Sequence, residues 1–183
     1  MKEDNIIDIV SDRDLGLISK DLDNPIIRYA ARGIVINDDG DVAVINKKIK
    51  NEYKLPGGGI ENNENQEEAF LREVFEETGC YVEITDYLGT IIEEKSLTNF
   101  KQISYVFVGK VLENTNKLHL TKKESDEKTT LLWKSLDDAL KLIKDSKANI
   151  KGSIYDSKYQ SLFVVKRDEK ILSYCINNKK ILK

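Results

Sequence analysis

The stretch Lys54–Cys80, "KLPGGGIENNENQEEAFLREVFEETGC", constrains the fold more than any other part of the chain. Its glycine run, Gly57 to Gly59, removes side chains where backbone must approach something closely or adopt unusual angles, and is expected in a loop. From about Asn65 to Thr78 the periodicity becomes helical. Phe70, Leu71, Val74 and Phe75 share one side, and Gly79 is a C-terminal stop. At about 100° per residue, Glu73, Glu76 and Glu77 fall within an arc of roughly 100°, separate from the apolar one. Ala69 lies in the same acidic arc one turn earlier, and its small side chain leaves room for something to approach.

Like charges at these spacings cost a few tenths of a kcal/mol each on an exposed helix. Two readings are open. One is a solvated acidic face. The other is a site for a divalent cation, which reverses the sign of the repulsion. Mg²⁺ prefers hard oxygen ligands and keeps several waters, so a few carboxylates together with substrate phosphates suit it. A glycine loop running into such a helix favours the second reading, with a phosphate-bearing substrate.

The flanking segments read as strands and helices in alternation. Residues 26–37 are rich in β-branched side chains, "NDDG" is a hairpin turn and residues 42–46 return as the partner strand. Further strands are expected at 80–94, with a kink near Gly89, at 102–112 and at 129–135. Ser135 with Asp138 caps a short amphipathic helix. Residues 156–177 form a last helix, or two with a break, and residues 1–24 a short lead-in strand or helix turn. The order implies a mixed sheet packed between helices, in one domain with a core at about 26–146 and a helical extension over 150–183.

Composition narrows the partners. The net charge is −3 and no basic stripe alternates with aromatic residues, which argues against duplex nucleic acid. No apolar run is long enough for a signal peptide or a membrane span, so a cytoplasmic protein is expected. Cys80 and Cys175 are in no metal-ligand spacing and read as buried thiols. His119, the single histidine, lies in a polar stretch and is not expected to act.

The glycine-to-helix segment resembles the signature of the Nudix hydrolases, in their MutT-like branch: Gly58, Glu64, Arg72, Glu73, Val74, Glu76, Glu77 and Gly79 fall at its positions. Cys80 stands at the last apolar place, where it behaves as a small hydrophobe. The resemblance implies an α+β fold, an α/β/α sandwich around a mixed sheet. It implies hydrolysis of a nucleoside diphosphate linked to another group, with Mg²⁺ or Mn²⁺. Glu73, Glu76 and Glu77 would be metal ligands, joined by the carbonyl of Gly58, and Arg72 would orient the acids through Glu64. A further acid often stands six residues ahead of a tryptophan in such proteins. That selects Glu127 before Trp133, with Glu124 and Asp126 as competitors.

Candidate substrate contacts are Arg32, Tyr53, Gly57 and Gly59, with Tyr29, Phe100, Tyr105 and Phe107 as further base-contact candidates. The marks of ADP-ribose and dinucleoside-polyphosphate members are absent, which leaves a nucleoside triphosphate pyrophosphohydrolase. An ADP-ribose or nucleotide-sugar pyrophosphatase is the alternative, as is a nucleotide-binding regulator with weak turnover. A partner-binding domain with an acidic helix is a third class. The expected partner is a small nucleotide, and the expected assembly a monomer or homodimer.

Overall fold

The computed structural model describes residues 5–178. Among them, eight strands form one sheet: β1 (Ile6–Ser11), β2 (Ile26–Ile36), β3 (Val42–Lys47), β4 (Glu52–Lys54), β5 (Gly57–Gly59), β6 (Cys80–Lys95), β7 (Phe100–Asn114) and β8 (Thr129–Lys134). The helices are α1 (Gln66–Thr78), α2 (Lys122–Asp126), α3 (Leu136–Ser146) and α4 (Lys158–Asn177). The strand order is β1-β6-β7-β2-β3-β4, with β5 on β2 and β8 on β3. The β1–β6 and β2–β7 pairs are parallel and the other pairs antiparallel, so the sheet is mixed.

Strand alternation sorts the side chains into two cores. On one face, Ala31 and Val35 of β2 meet Ala69, Phe70 and Val74 of α1. On the other, Ile34 of β2 and Val106 of β7 meet Ile143 of α3 and Phe163, Ile171 and Leu172 of α4. Each such fully buried large side chain contributes on the order of 2 kcal/mol. The result is the expected sandwich, with α1 on one side of the sheet and α3 and α4 on the other.

Local signals set the helix ends. Asn65 Oδ1 accepts hydrogen bonds from the Glu67 and Glu68 amides, and Glu68 returns a carboxylate to the Asn65 amide, which satisfies the first turn of α1. Gly79 closes the helix, donating its N–H to Phe75 O. Ser135 caps α3 through the Asp138 amide.

Some expectations are corrected. The glycine run is strand β5 rather than a loop: Gly57, Gly58 and Gly59 pair with Arg32, Ala31 and Ala30. Glycine has low strand propensity, but ladder hydrogen bonds to β2 and the lack of side chains let this segment lie close under α1. Residues 158–177 are one helix without a break, and residues 150–157 ahead of it carry no helix. The lead-in is strand β1 followed by a 3₁₀ turn at Asp12–Leu15. Near Gly89 the β6–β7 register shifts between Tyr87 and Gly89, at the expected kink. Residues 1–4 and 179–183 of the expected lead-in and extension lie outside the described residues. Cys80 and Cys175 are free and buried. Among the described residues no helix is long and apolar enough to cross a membrane.

Candidate active site

Helix α1 carries all three acids: Glu73 and Glu77 face β5 and β4 and line one cavity, whereas Glu76 does not line it and lies 3.7 Å from Arg72. Glu77 is the deepest, 1% exposed. Its Oε2 accepts hydrogen bonds from the Gly57 amide at 2.8 Å and from Lys54 Nζ at 2.9 Å, and its Oε1 lies 2.7 Å from the same ammonium. Burial nonetheless pushes the Glu77 carboxyl above the usual carboxylate range, against the pull of Lys54. Glu73 lies against β5: a Cβ on Gly58 would be 2.4 Å from Glu73 Oε1 and 2.5 Å from Oε2. A side chain at Gly58 would therefore push the Glu73 carboxylate out of this position. Gly57, with φ at +137°, holds a backbone angle that other residues rarely adopt and turns its amide onto Glu77. Glu76 is half-buried, and burial together with the Glu73 charge raises its carboxyl.

Arg72 braces this arrangement. It donates to both oxygens of Glu64, at 3.0 and 2.6 Å, to Glu73 Oε1 at 2.9 Å and to the Gly59 carbonyl at 3.0 Å. The fork geometry of guanidinium suits this bidentate pairing. Hydrogen bonding to Arg72 holds Glu64 below the usual carboxylate range, and the Glu64 pairing raises Arg72 in turn.

Among the described residues no three Asp, Glu, His or Cys side chains converge to form a ready-made metal cluster. The cation already present is the Lys54 ammonium, held by both Glu77 oxygens and by the Gly57 carbonyl at 3.0 Å. That position demonstrates carboxylate and carbonyl oxygens arranged around a positive charge. The surrounding donors are hard oxygens, the set that suits Mg²⁺ or Mn²⁺ rather than a thiophilic metal.

A cavity of about 370 Å³ opens beside these acids, lined by Gly57, Gly58, Gly59, Glu73 and Glu77. Basic side chains outnumber acidic ones around it, which suits an anionic ligand. Its far wall comes from β2, β7 and α4, with Arg32, Phe100, Gln102, Ser161 and Arg167.

The other expected site residues are placed differently. Glu127 is not brought to this cavity. It is buried behind it, with Oε2 3.0 Å from Lys47 Nζ and Oε1 accepting from Ser153 Oγ at 2.8 Å; burial raises its carboxyl, but Lys47, Ser153 and Lys50 together hold it low. Glu124 lines the cavity instead, and its charge acts on both Glu76 and Glu77. The signal for Glu124 is the "TKKE" capping box: Thr121 and Glu124 exchange hydrogen bonds at the start of α2 and orient the acid. Tyr53 packs against the α3–α4 core rather than lining the cavity, because on β4 it alternates with Glu52 and Lys54, which do line it. Lys54 lies in no motif that marks it, yet it is the cation that holds Glu77. His119 stacks on Phe75, with ring centroids 4.6 Å apart.

Known proteins resemble this chain in sequence and in fold. The family profile described as "NUDIX domain" matches residues 27–157. A "MutT-like protein" of Streptomyces ambofaciens is 35% identical over 65 residues, 36% of this chain and 42% of that protein. A "Putative 8-oxo-dGTP diphosphatase" of Bacillus subtilis (strain 168) is 30% identical over 78 residues, 43% of this chain and 50% of that protein. The chain thus matches half or less of the length of these relatives. Among solved structures, a MutT protein from Methanosarcina mazei Go1 superposes with a TM-score of 0.54 at 22% identity, covering 85% of this chain and 98% of that one. A NUDIX hydrolase from Nitrosomonas europaea gives 0.53 at 16% identity, covering 79% and 92%. These two structures share the fold.

Proposed function

The chain belongs to the Nudix family, and from that premise we propose that it hydrolyses the diphosphate linkage of a nucleoside triphosphate, releasing pyrophosphate. The observation that carries this reading is the seating of the Glu73 carboxylate in the space of the missing Gly58 side chain, next to buried Glu77. Members of the family generally use a divalent ion. Here Glu73, Glu76, Glu77 and the Gly58 carbonyl would hold Mg²⁺ or Mn²⁺, which when bound neutralises diphosphate oxygens and polarises phosphorus.

The chain's own residues supply the rest. Arg72, anchored on Glu64 and the Gly59 carbonyl, keeps Glu73 in place. The basic lining draws the polyanion into the cavity. A carboxylate beside the cavity that the metal leaves free takes the proton from the attacking water. The water oxygen forms the new bond to phosphorus, the bridging oxygen leaves with its electron pair, and the proton resides on the carboxylate until it is released. Glu124 takes the part of the additional acid from the segment ahead of β8, since it lines the cavity and Glu127 is committed to Lys47. The relative named for 8-oxo-dGTP supports an oxidised purine triphosphate as the first substrate to try.

The test is a panel of normal and oxidised nucleoside triphosphates, diphosphates, dinucleotides and nucleotide sugars, incubated with Mg²⁺ and with Mn²⁺ and scored for products. Triphosphates yielding the monophosphate and pyrophosphate only when the divalent ion is present is the expected result. Nucleotide binding without any product would overturn it.

A further inference from the structure

The wall of the cavity opposite α1 holds two buried guanidinium groups in unlike states. Arg167 of α4 is 2% exposed and fully engaged. Its Nη1 donates to Glu93 at 3.1 Å, and its Nε and Nη2 donate to Asp168 at 2.7 and 3.1 Å. Arg32 of β2 is 4% exposed, yet among the described residues its guanidinium makes no hydrogen bond and no ion pair, and its Nε is buried without a partner. The charges that act on it are Arg167 and Arg28, of its own sign, and Glu93 and Asp168, both of which are already bonded to Arg167. Lys95 does not relieve it, being a third cation nearby and itself 3.0 Å from Glu93. Burial and then Arg167 bring Arg32 down to about 10.

An unpaired buried charge is among the costliest features a fold can retain. Ser161 of α4 lines the same cavity, is fully buried and has an Oγ without a hydrogen-bond partner. Arg32 from β2 and Ser161 from α4 thus both line a cavity where positive charge exceeds negative, with Arg32 Nε and Ser161 Oγ themselves beneath its surface. A neutral nucleobase answers this poorly. It brings no counter-charge, and the ring of Phe100 already has Lys95 Nζ 5.4 Å from its centroid.

We propose that Arg32 and Ser161, with Arg28 at the rim, form a second anion subsite that takes a phosphate-class group of the substrate other than the diphosphate held beside α1. The proposal rests on the function proposed above for its substrate but not for its anion binding, which needs no metal. It makes α4 a specificity element: a substrate bearing an additional phosphate away from the scissile bond gains the contacts that a simpler one lacks. Arginine suits this role, since its planar fork binds phosphate bidentately.

The test measures thermal unfolding of the full chain in EDTA, with and without inorganic phosphate at tens of millimolar, for the wild type, Arg32→Met, Arg28→Gln and Glu77→Gln. Phosphate is expected to raise the wild-type Tm by about 3 °C or more. Arg32→Met is expected to match or exceed the wild-type Tm without phosphate, because it removes an unpaired buried charge, and to lose the phosphate shift. Arg28→Gln, which alters an exposed side chain, reduces the shift. Glu77→Gln keeps it, whether or not the wild type shows turnover, which separates failure of this subsite from failure of the proposed reaction. A shift retained in Arg32→Met, a shift lost in Glu77→Gln, or no shift in the wild type would overturn the proposal. So would a fall of several degrees in the phosphate-free Tm of Arg32→Met, which would make Arg32 a structural residue.

Discussion

Glu77 and Glu93 are both buried glutamates bonded to cations, yet their surroundings drive them in opposite directions. Glu93, on β6, is buried and accepts a hydrogen bond from Gln102, but the charges of Arg167, Lys95 and Arg32 outweigh burial and hold its carboxyl down to about 2. Glu77, on α1, has Lys54 and one amide, and burial wins. Nearby Glu124 adds to its burden, and Glu73 and Glu124 do the same to Glu76. Around Glu93 the fold supplies its own counter-charges. Around Glu77 it leaves negative charge undercompensated, which is the condition for a site that takes a cation from outside. The lesson is that a buried charge marks function only where the chain fails to neutralise it. Arg32, beside the well-paired Arg167, repeats the contrast with the sign reversed.

The largest effect expected from this contrast is structural. Arg167→Met leaves Glu93 and Asp168 without their main counter-charge and should cost about 3 kcal/mol or more, read from urea unfolding. A loss within about 0.5 kcal/mol would mean that the Glu93 cluster is no more self-sufficient than the α1 acids. Glu77→Gln should instead spare the fold, as judged by circular dichroism, and lower kcat at least about a hundredfold, worth about 2.7 kcal/mol of transition-state stabilisation. Near-normal turnover would remove Glu77 from the mechanism.

Acid separates the two glutamates more gently. Because the folded Glu93 carboxyl is lowered from 4.5 to about 2, its contribution is present above pH 4.5 and is lost as pH falls through that interval. Glu77 runs the other way. Its raised carboxyl favours the folded state when protonated, and that contribution is lost as pH rises from 4.5 through its folded value. Denaturant titrations between pH 2 and 7 should therefore show Glu93→Gln flattening the acid-side loss of stability. Glu77→Gln should flatten a decline on the neutral side. The same profile in both variants would erase the distinction.

The α1 half of the site is legible in the sequence because it is local. A helix period, a capping asparagine and acids three and four apart fall within one short stretch, and the Nudix resemblance adds Arg72 and Glu64. Of the opposite wall the sequence offers only Arg32 and Phe100, as single candidates; Gln102, Ser161 and Arg167 join them only through β2 pairing with β7 and α4 packing over both. Single-residue parity explains the rest. Tyr53 is one position away from Glu52 and Lys54 on β4 and faces the other way. Counting back from Trp133 selects Glu127, whereas the turn of α2 directs Glu124 into the cavity and leaves Glu127 on Lys47. Gly57 to Gly59 show the limit of propensity, since pairing with β2 makes a strand of residues that favour none.

The undercompensated acids of α1 are predicted to take up a divalent ion. Calorimetric titration of Mn²⁺ into the wild type and into Glu73→Gln tests it most directly. Saturable uptake at millimolar concentrations or below in the wild type, weakened at least about tenfold in the variant, is the predicted result. No uptake in the wild type, or equal uptake in both, would contradict it.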